Sequence, residues 1–322
     1  MSASASASAS ASAMTDPMPP AFDDDILATE EVSQARLVWR RFRRHRLGLL
    51  GITVIGVIAL ACMLAPWIAP YTFDKPDTSN IMGTPSASHW LGTDELGRDV
   101  LSRLLYAGRI SLLVSLVATM LSIVIGVLVG SIAAYFGGAL DTLLMRFTDI
   151  MLSLPSLPLL LIFSKTLRDF GPLRRALGDN TSVVIIITVL TIFGWMNVAR
   201  LVYGSVLSLK AREFTEASRA LGASSFRIIF THLIPNSAAP IIVAMTLGIG
   251  SRIIAEASLS FLGLGIVPPN PSWGSMLSGV QAYMFRNPWL AFYPGLTILI
   301  VVLAINFAGD ALRDALDPRL KN

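Results

Sequence analysis

The stretch "GTDELGRDV", residues 92–100, sets three carboxylates, Asp94, Glu95 and Asp99, beside one cation, Arg98. Carboxylates at such short spacing can divide the work of general acid and general base. That chemistry also needs a nucleophile or an activated water, and nothing nearby marks one. The acids are therefore expected in a solvated loop. The three histidines, His45, His89 and His232, fall far apart in different connecting segments and do not suggest a metal site; each is expected at a surface or interface. Cys62 stands alone, which excludes an intrachain disulfide and a cysteine-based metal site, and its apolar neighbours make it a packing residue. No GxxxxGK[ST], HExxH or EF-hand loop occurs, so the chain has no Walker A phosphate loop and no motif of a bound cofactor.

The polar stretch that remains is "EFTEASRALGASSFRIIFTHLIPN", residues 213–236. Residues 205–221 favour a helix. Gly222 is a helix C-cap, because glycine takes the left-handed conformation at least cost. Ser224 or Ser225 caps a second short helix, "FRIIFTHL", and Pro235 ends it. The small residues Ala217, Ser218, Ala220, Gly222 and Ala223 leave a low, closely approachable surface. Phe226, Ile229 and Phe230 give an apolar ridge, and Arg219 and Arg227 can pair with carboxylates. Two readings fit this set: a knob that docks in another protein's groove, or a connecting loop folded back on its own chain.

The elements around this segment are membrane helices. Of 322 residues, 53% are hydrophobic and only 14% charged, against about 25% charged in soluble domains; the mean hydropathy is +0.65. Separate apolar runs of about 20 residues suit a bilayer, since a helix of that length crosses about 30 Å of hydrocarbon. The expected fold is all-α and polytopic, with six spans near 47–69, 110–134, 147–163, 182–202, 238–255 and 289–308. The third contains Pro155 and Pro158. A Ser/Ala-rich tail over 1–34 is read as disordered, the transmembrane domain as 35–322, and 205–236 as a cytoplasmic segment. Six arginines between Arg36 and Arg46 precede the first span, which places the N-terminus inside and, after six crossings, the C-terminus inside as well. They also account for the net charge of +4 without nucleic acid, for which no basic face with interleaved aromatics appears. Lipid is the expected surrounding.

Two outer segments, 70–109 and 256–288, are too long to be plain connections. In the first, residues 102–109 read as a short amphipathic helix leading into the second span. Within the spans ionisable residues are few. Arg200 and Arg252 are placed near span ends, where they can snorkel, and Glu256 near the outer end of the fifth span. An ion-driven transporter commonly needs a buried titratable relay, so energy is expected from another chain.

The segment "EASRALGASSFRIIFTHLIPN" closely resembles the EAA signature of bacterial ABC importer permeases. Glu216, Ala217 and Ser218 fall on the Glu-Ala-Ala positions, with Gly222 and Pro235 in register. Ser218 replaces an alanine, His232 stands where isoleucine is typical, and Ile234 replaces leucine. "HWLGTDELGRDVLSRLLYAGRISLLVSL" and "SFLGLGIVPPNPSWGSML" further resemble the C-type permease subunit of the dipeptide/oligopeptide/nickel importers, so that the likeness covers about 35–320. The resemblance implies the type I ABC importer permease fold in a bacterial inner membrane. It also implies partners: a homologous B-type permease, two ABC ATPase subunits that bind ATP and Mg, and an extracytoplasmic peptide-binding protein. ATPase coupling would then fall to Glu213, Glu216, Ala217, Ser218, Arg219, Gly222, Ala223, Phe226 and Pro235. The outer loop with Asp94, Glu95, Arg98 and Asp99 would face the binding protein or shape the outer gate. A permease for nickel, glutathione or another small solute fits the same resemblance. An ion-coupled secondary transporter is the reading from another class.

Overall fold

The computed structural model describes residues 34–317. The tail expected to be disordered therefore lies, except for Gln34, outside the described residues. Among the described residues there are helices and loops but no strand, only the isolated bridges Pro76–Arg98 and Thr93–Asp99.

Helix α1 (Gln34–Phe42) carries much of the arginine cluster and packs Phe42 against Ala311 and Ala315 near the chain's end. His45 then caps α2 (Arg46–Met63), its Nδ1 accepting the Gly48 N–H at 3.2 Å. The next helix, α3 (Val100–Phe136), has 37 residues, about 55 Å at 1.5 Å per residue. Residues 102–109 are thus not a separate amphipathic helix. They are the first turns of the span, with Arg103, Ala107 and Gly108 buried and no break before residue 110.

The third span is not one straight helix either. Helices α4 (Gly138–Ser153) and α5 (Ser156–Asp169) meet at a 96° bend. The reason is local: Pro155 offers no N–H, and the residue before a proline is driven out of the helical region. Leu154 accordingly sits at φ −83°, ψ 144°. A short helical turn, Gly171–Leu177, leads to α6 (Thr181–Lys210). After it come α7 (Glu213–Ala220), α8 (Ala238–Phe261), α9 (Trp273–Leu277) and α10 (Trp289–Leu316). Among the described residues, five helical stretches are long and apolar enough to cross a membrane, and six if the bent pair counts as one span.

Three of the five apolar clusters among the described residues join the long helices to one another and to the coupling segment. One joins α3, α5, α6 and α8 through Val114, Leu160, Ile186, Val189 and Leu259. A second packs Val127, Val202 and Val206 against Ile228, Ile229 and Leu233. The third surrounds Trp273 with Cys62, Ala107, Ile253, Val301 and Ile305, so Cys62 is a packing residue. Helices α3 and α6 approach closely at Gly130, where a Cβ would overlap the Ala199 carbonyl oxygen. Close backbone approach through small residues is how membrane helices associate where lipid offers no hydrophobic drive.

Candidate coupling segment and buried polar sites

The segment after α6 is built in three pieces. The helix expected over 205–221 is broken: α6 stops at Lys210, Arg212 is extended at φ −86°, ψ 146°, and α7 begins anew at Glu213. The break is stapled by buried Thr215, whose Oγ1 donates to the Leu209 carbonyl at 2.9 Å. Lys210 Nζ donates to the Ala134 carbonyl at 3.2 Å, satisfying the end of α3. Gly222 has φ +80°. Around it the Gly222 N–H donates to Arg219 O at 3.0 Å and the Ala223 N–H to Ser218 O at 3.1 Å, the two bonds of a Schellman cap. A Cβ at Gly222 would meet no atom within 4 Å, but a side chain there would cost about 1–2 kcal/mol in the left-handed region. Gly222→Val is expected to speed limited proteolysis within 213–236 while leaving the thermal midpoint of the bundle within about a degree.

Ser224 caps the next piece, its Oγ accepting the Arg227 N–H at 3.3 Å. Contrary to the expectation from sequence, Pro235 does not end the helical run. It lies in the first turn of Ile234–Asn236, where its missing N–H is not needed, after a π-helical stretch, Ile228–Leu233. The chain then enters α8 with only Ser237 between. Ile228, Ile229 and Leu233 face inward, so Ile229 belongs to the root and not to the exposed ridge. The exposed apolar tip is Leu221 (88% exposed), Phe226 (73%) and Phe230 (46%), with the two phenyl rings stacked at 5.5 Å. Leu221 is the member sequence reading missed, because a leucine at a helix end ordinarily reads as core. Glu213, Glu216 and Ala217 are exposed on α7, and Pro235 is exposed beyond it. Ser218 Oγ turns back to Phe214 O at 2.8 Å. Arg219 lies over the Tyr135 ring at 5.8 Å, and half-buried Ala223 packs on the root.

At the other end of α3 the acidic loop is not a solvated one. Buried Asp94 accepts the Leu96 and Arg98 N–H groups at 2.9 Å, Arg98 Nε at 2.7 Å and Arg103 Nη1 at 3.1 Å. Glu95 holds the other arm of Arg98 at 3.2 Å. Asp99 caps α3, accepting the Ser102 N–H and Oγ–H at 2.7 Å, and its other oxygen meets His89 Nδ1 at 3.0 Å. His89, expected at a surface or interface, is buried within the chain's own loop, with Nε2 3.5 Å from Asp77. Hydrogen bonds from Ser79, with a smaller contribution from His89, hold the Asp77 carboxyl below the usual carboxylate range. These charges are engaged in shaping the loop, leaving no free acid–base pair.

Two ionisable groups are deeper than their sequence placement suggested. Glu256 is fully buried. Its carboxylate accepts Ser111 Oγ at 3.1 Å, Ser260 Oγ at 2.7 Å and Ser272 Oγ at 2.8 Å. Each hydroxyl in turn accepts a backbone N–H, from Trp273, Ile266 and Ser275 respectively. Arg252, one turn earlier on α8, is only 8% exposed and does not snorkel. It faces a cavity of about 390 Å³ between α5, α6 and α8. Arg200, by contrast, is partly exposed and pairs with Asp149 of α4.

Residues 126–322 match the family model described as "binding-protein-dependent transport system inner membrane component", and residues 33–85 match "N-terminal TM domain of oligopeptide transport permease C". The chain belongs to this permease family. It is 40% identical to the dipeptide transport system permease protein DppC of Alkalihalophilus pseudofirmus, over 90% of this chain and 92% of that one. It is 38% identical to the oligopeptide transport system permease protein OppC of Bacillus subtilis, over 91% and 93%. Against the glutathione transport system permease protein GsiD of Escherichia coli the identity is 39%, over 88% and 90%. An inward-facing structure of the MetNI methionine ABC transporter shares the fold, with a TM-score of 0.54 at 23% identity over 67% of this chain and 97% of that one. This permease is thus a transport subunit of the dipeptide/oligopeptide ABC importer family, a multi-pass inner-membrane protein and not an enzyme.

Proposed function

We propose that this permease lines half of an ATP-driven import path for di- and oligopeptides, and that its coupling segment docks in a groove of an ABC ATPase. The observation that carries the coupling reading is the contrast within 213–236: Leu221, Phe226 and Phe230 are exposed, while Thr215, Ile228, Ile229 and Leu233 anchor the same segment in the bundle. A lever must be rigid at its root and sticky at its tip, and large exposed apolar groups on a well-anchored knob mark a partner's place. A homologous B-type permease completes the path, two ATPases bind ATP and Mg below it, and an extracytoplasmic binding protein delivers the peptide. The N-terminus and the coupling segment face the cytoplasm.

Peptide as the substrate rests on the names of relatives such as the dipeptide and oligopeptide permeases. The glutathione permease, equally similar, supports a second reading in which the solute is glutathione or another small solute. Arg252 and Glu256 are the buried ionisable groups an ion-coupled transporter would require, but membership of a binding-protein-dependent family removes the ground for that reading.

The test is co-purification from gently solubilised membranes, followed by uptake into proteoliposomes. An ATPase and a second permease are expected to accompany the native chain, and labelled tripeptide is expected to accumulate only with ATP. A chain that comes out alone, or that moves solute down an ion gradient without ATP, would overturn the proposal.

A further inference from the structure

We propose that Arg252 is the residue in this permease that receives the terminal carboxylate of the passing peptide. The inference rests on the peptide reading above and assigns a residue to it.

Arg252 lies in the middle third of α8, about 21 Å along the helix from Ala238 at 1.5 Å per residue. A guanidinium at that depth is costly unless it is paired. Among the described residues no carboxylate comes within ion-pair distance of it: Glu256, one turn away, is held by its three serines. Two protein acceptors reach Arg252, Gly248 O from Nη1 at 3.1 Å and Gly194 O from Nη2 at 3.2 Å. Its Nε is buried without a partner. A guanidinium has five N–H donors arranged as a fork that matches a carboxylate in bidentate fashion. Two carbonyls orient that fork and leave most of it unspent.

The surroundings are built for the guanidinium. A Cβ at Gly194 would overlap Nη2, and one at Gly248 would stand 2.9 Å from Nη1. Two glycines on two different helices thus make room for one head group. The cavity beyond, about 390 Å³, is also lined by Asn197, Ser251, Ser156 and Phe193, a small polar set on an apolar wall of the kind that orients a ligand. A site with this cation prefers an anionic group, and the anionic group common to unmodified peptides is the C-terminal carboxylate. A simple helix staple would need the two carbonyl bonds but neither the unpaired charge nor the adjoining cavity.

The test uses the whole transporter in proteoliposomes, with labelled Ala-Ala-Ala and its C-terminal amide, each at a concentration giving a measurable native rate. The same binding protein serves every arm, so its own preference cancels in the ratio of variant to native. Arg252→Gln is expected to lower free-peptide uptake at least tenfold and amide uptake less than twofold, with ATPase co-purification unchanged. Arg252→Lys, which keeps the charge but not the fork, is expected to recover at least a third of the native free-peptide rate. Equal loss for both peptides, or no loss for either, overturns the assignment and leaves the peptide reading standing. If the amide is delivered too poorly to read, Arg252→Lys decides: recovery supports the assignment and no recovery overturns it. A native complex that takes up neither peptide removes the peptide reading and this proposal with it.

Discussion

Replacing Leu221 and Phe226 together by aspartate is expected to leave the permease folded and to abolish ATP-driven uptake, with the ATPase missing from the purified complex. Both side chains project from the coupling segment and make little of its core; the root is Thr215, Ile228, Ile229 and Leu233. Stability of the bundle should therefore change little. Docking would otherwise bury both groups, and full burial of a large apolar side chain contributes about 1.5–3 kcal/mol. Losing two such contributions weakens association by about a hundredfold to ten-thousandfold, before the cost of bringing two carboxylates to an apolar groove. Glu216→Lys probes the same surface through charge. Glu216 is exposed in the first turn of α7, where an acid complements the helix dipole by about 0.3–1 kcal/mol. The local loss is small, so a large fall in ATPase retention in Glu216→Lys would report the interface and not the fold. Uptake by the double variant, Leu221→Asp with Phe226→Asp, within twofold of native would falsify the docking reading.

What the sequence made legible follows from which forces act locally. Apolar runs long enough to span a bilayer announce helices whatever their neighbours, and α2, α3, α6, α8 and α10 lie on the runs read as spans. The Gly222 cap was legible because a left-handed residue is a backbone requirement, satisfied within α7 and the two residues after its C-cap. The bend at Pro155 had a visible cause, the two prolines in the run read as the third span, but its 96° size depends on what α5 packs against. Burial direction was not legible. In a membrane helix lipid-facing and core-facing residues are equally apolar, so periodicity does not tell the sides apart. Arg252 and Glu256 were consequently placed by their distance from span ends, whereas helix rotation turned both inward. Ile229 was placed on the exposed ridge, and Leu221 was not singled out, because the coupling segment is apolar both on its root and on its tip. Asp94 and Asp99 read as solvated, and His89 as a surface or interface residue, because Arg103 meets Asp94, and His89 meets Asp99 and Asp77, only when the loop folds over the start of α3.

The second large effect is expected from Glu256. Ser111 comes from α3, Ser260 from α8 and Ser272 from the cap of α9, and each hydroxyl donates to the carboxylate while accepting a backbone N–H from 266–275. One side chain thus gathers three points of the segment that returns from α8 to the bundle and seats Trp273 in its core, alongside the hydrogen bonds that Ser164 and Arg168 make to the carbonyls of residues 263–265. Glu256→Leu removes the acceptor of three buried hydroxyls. Each buried donor left unmade costs about 1–3 kcal/mol, so the substitution should cost about 3 kcal/mol or more against a total of about 5–15. Glu256→Gln keeps one carbonyl oxygen, enough for Ser260 and Ser272, and turns its amide toward Ser111, whose oxygen has a second lone pair to accept it. The expected order of thermal midpoint in detergent is therefore native, then Glu256→Gln, then Glu256→Leu, with the largest gap at the leucine substitution and with new protease cleavage within 262–288. A Glu256→Leu variant as stable as native would mean that the serines find other acceptors, and that the packing of Trp273 with the hydrogen bonds from Ser164 and Arg168 is enough to hold the returning segment.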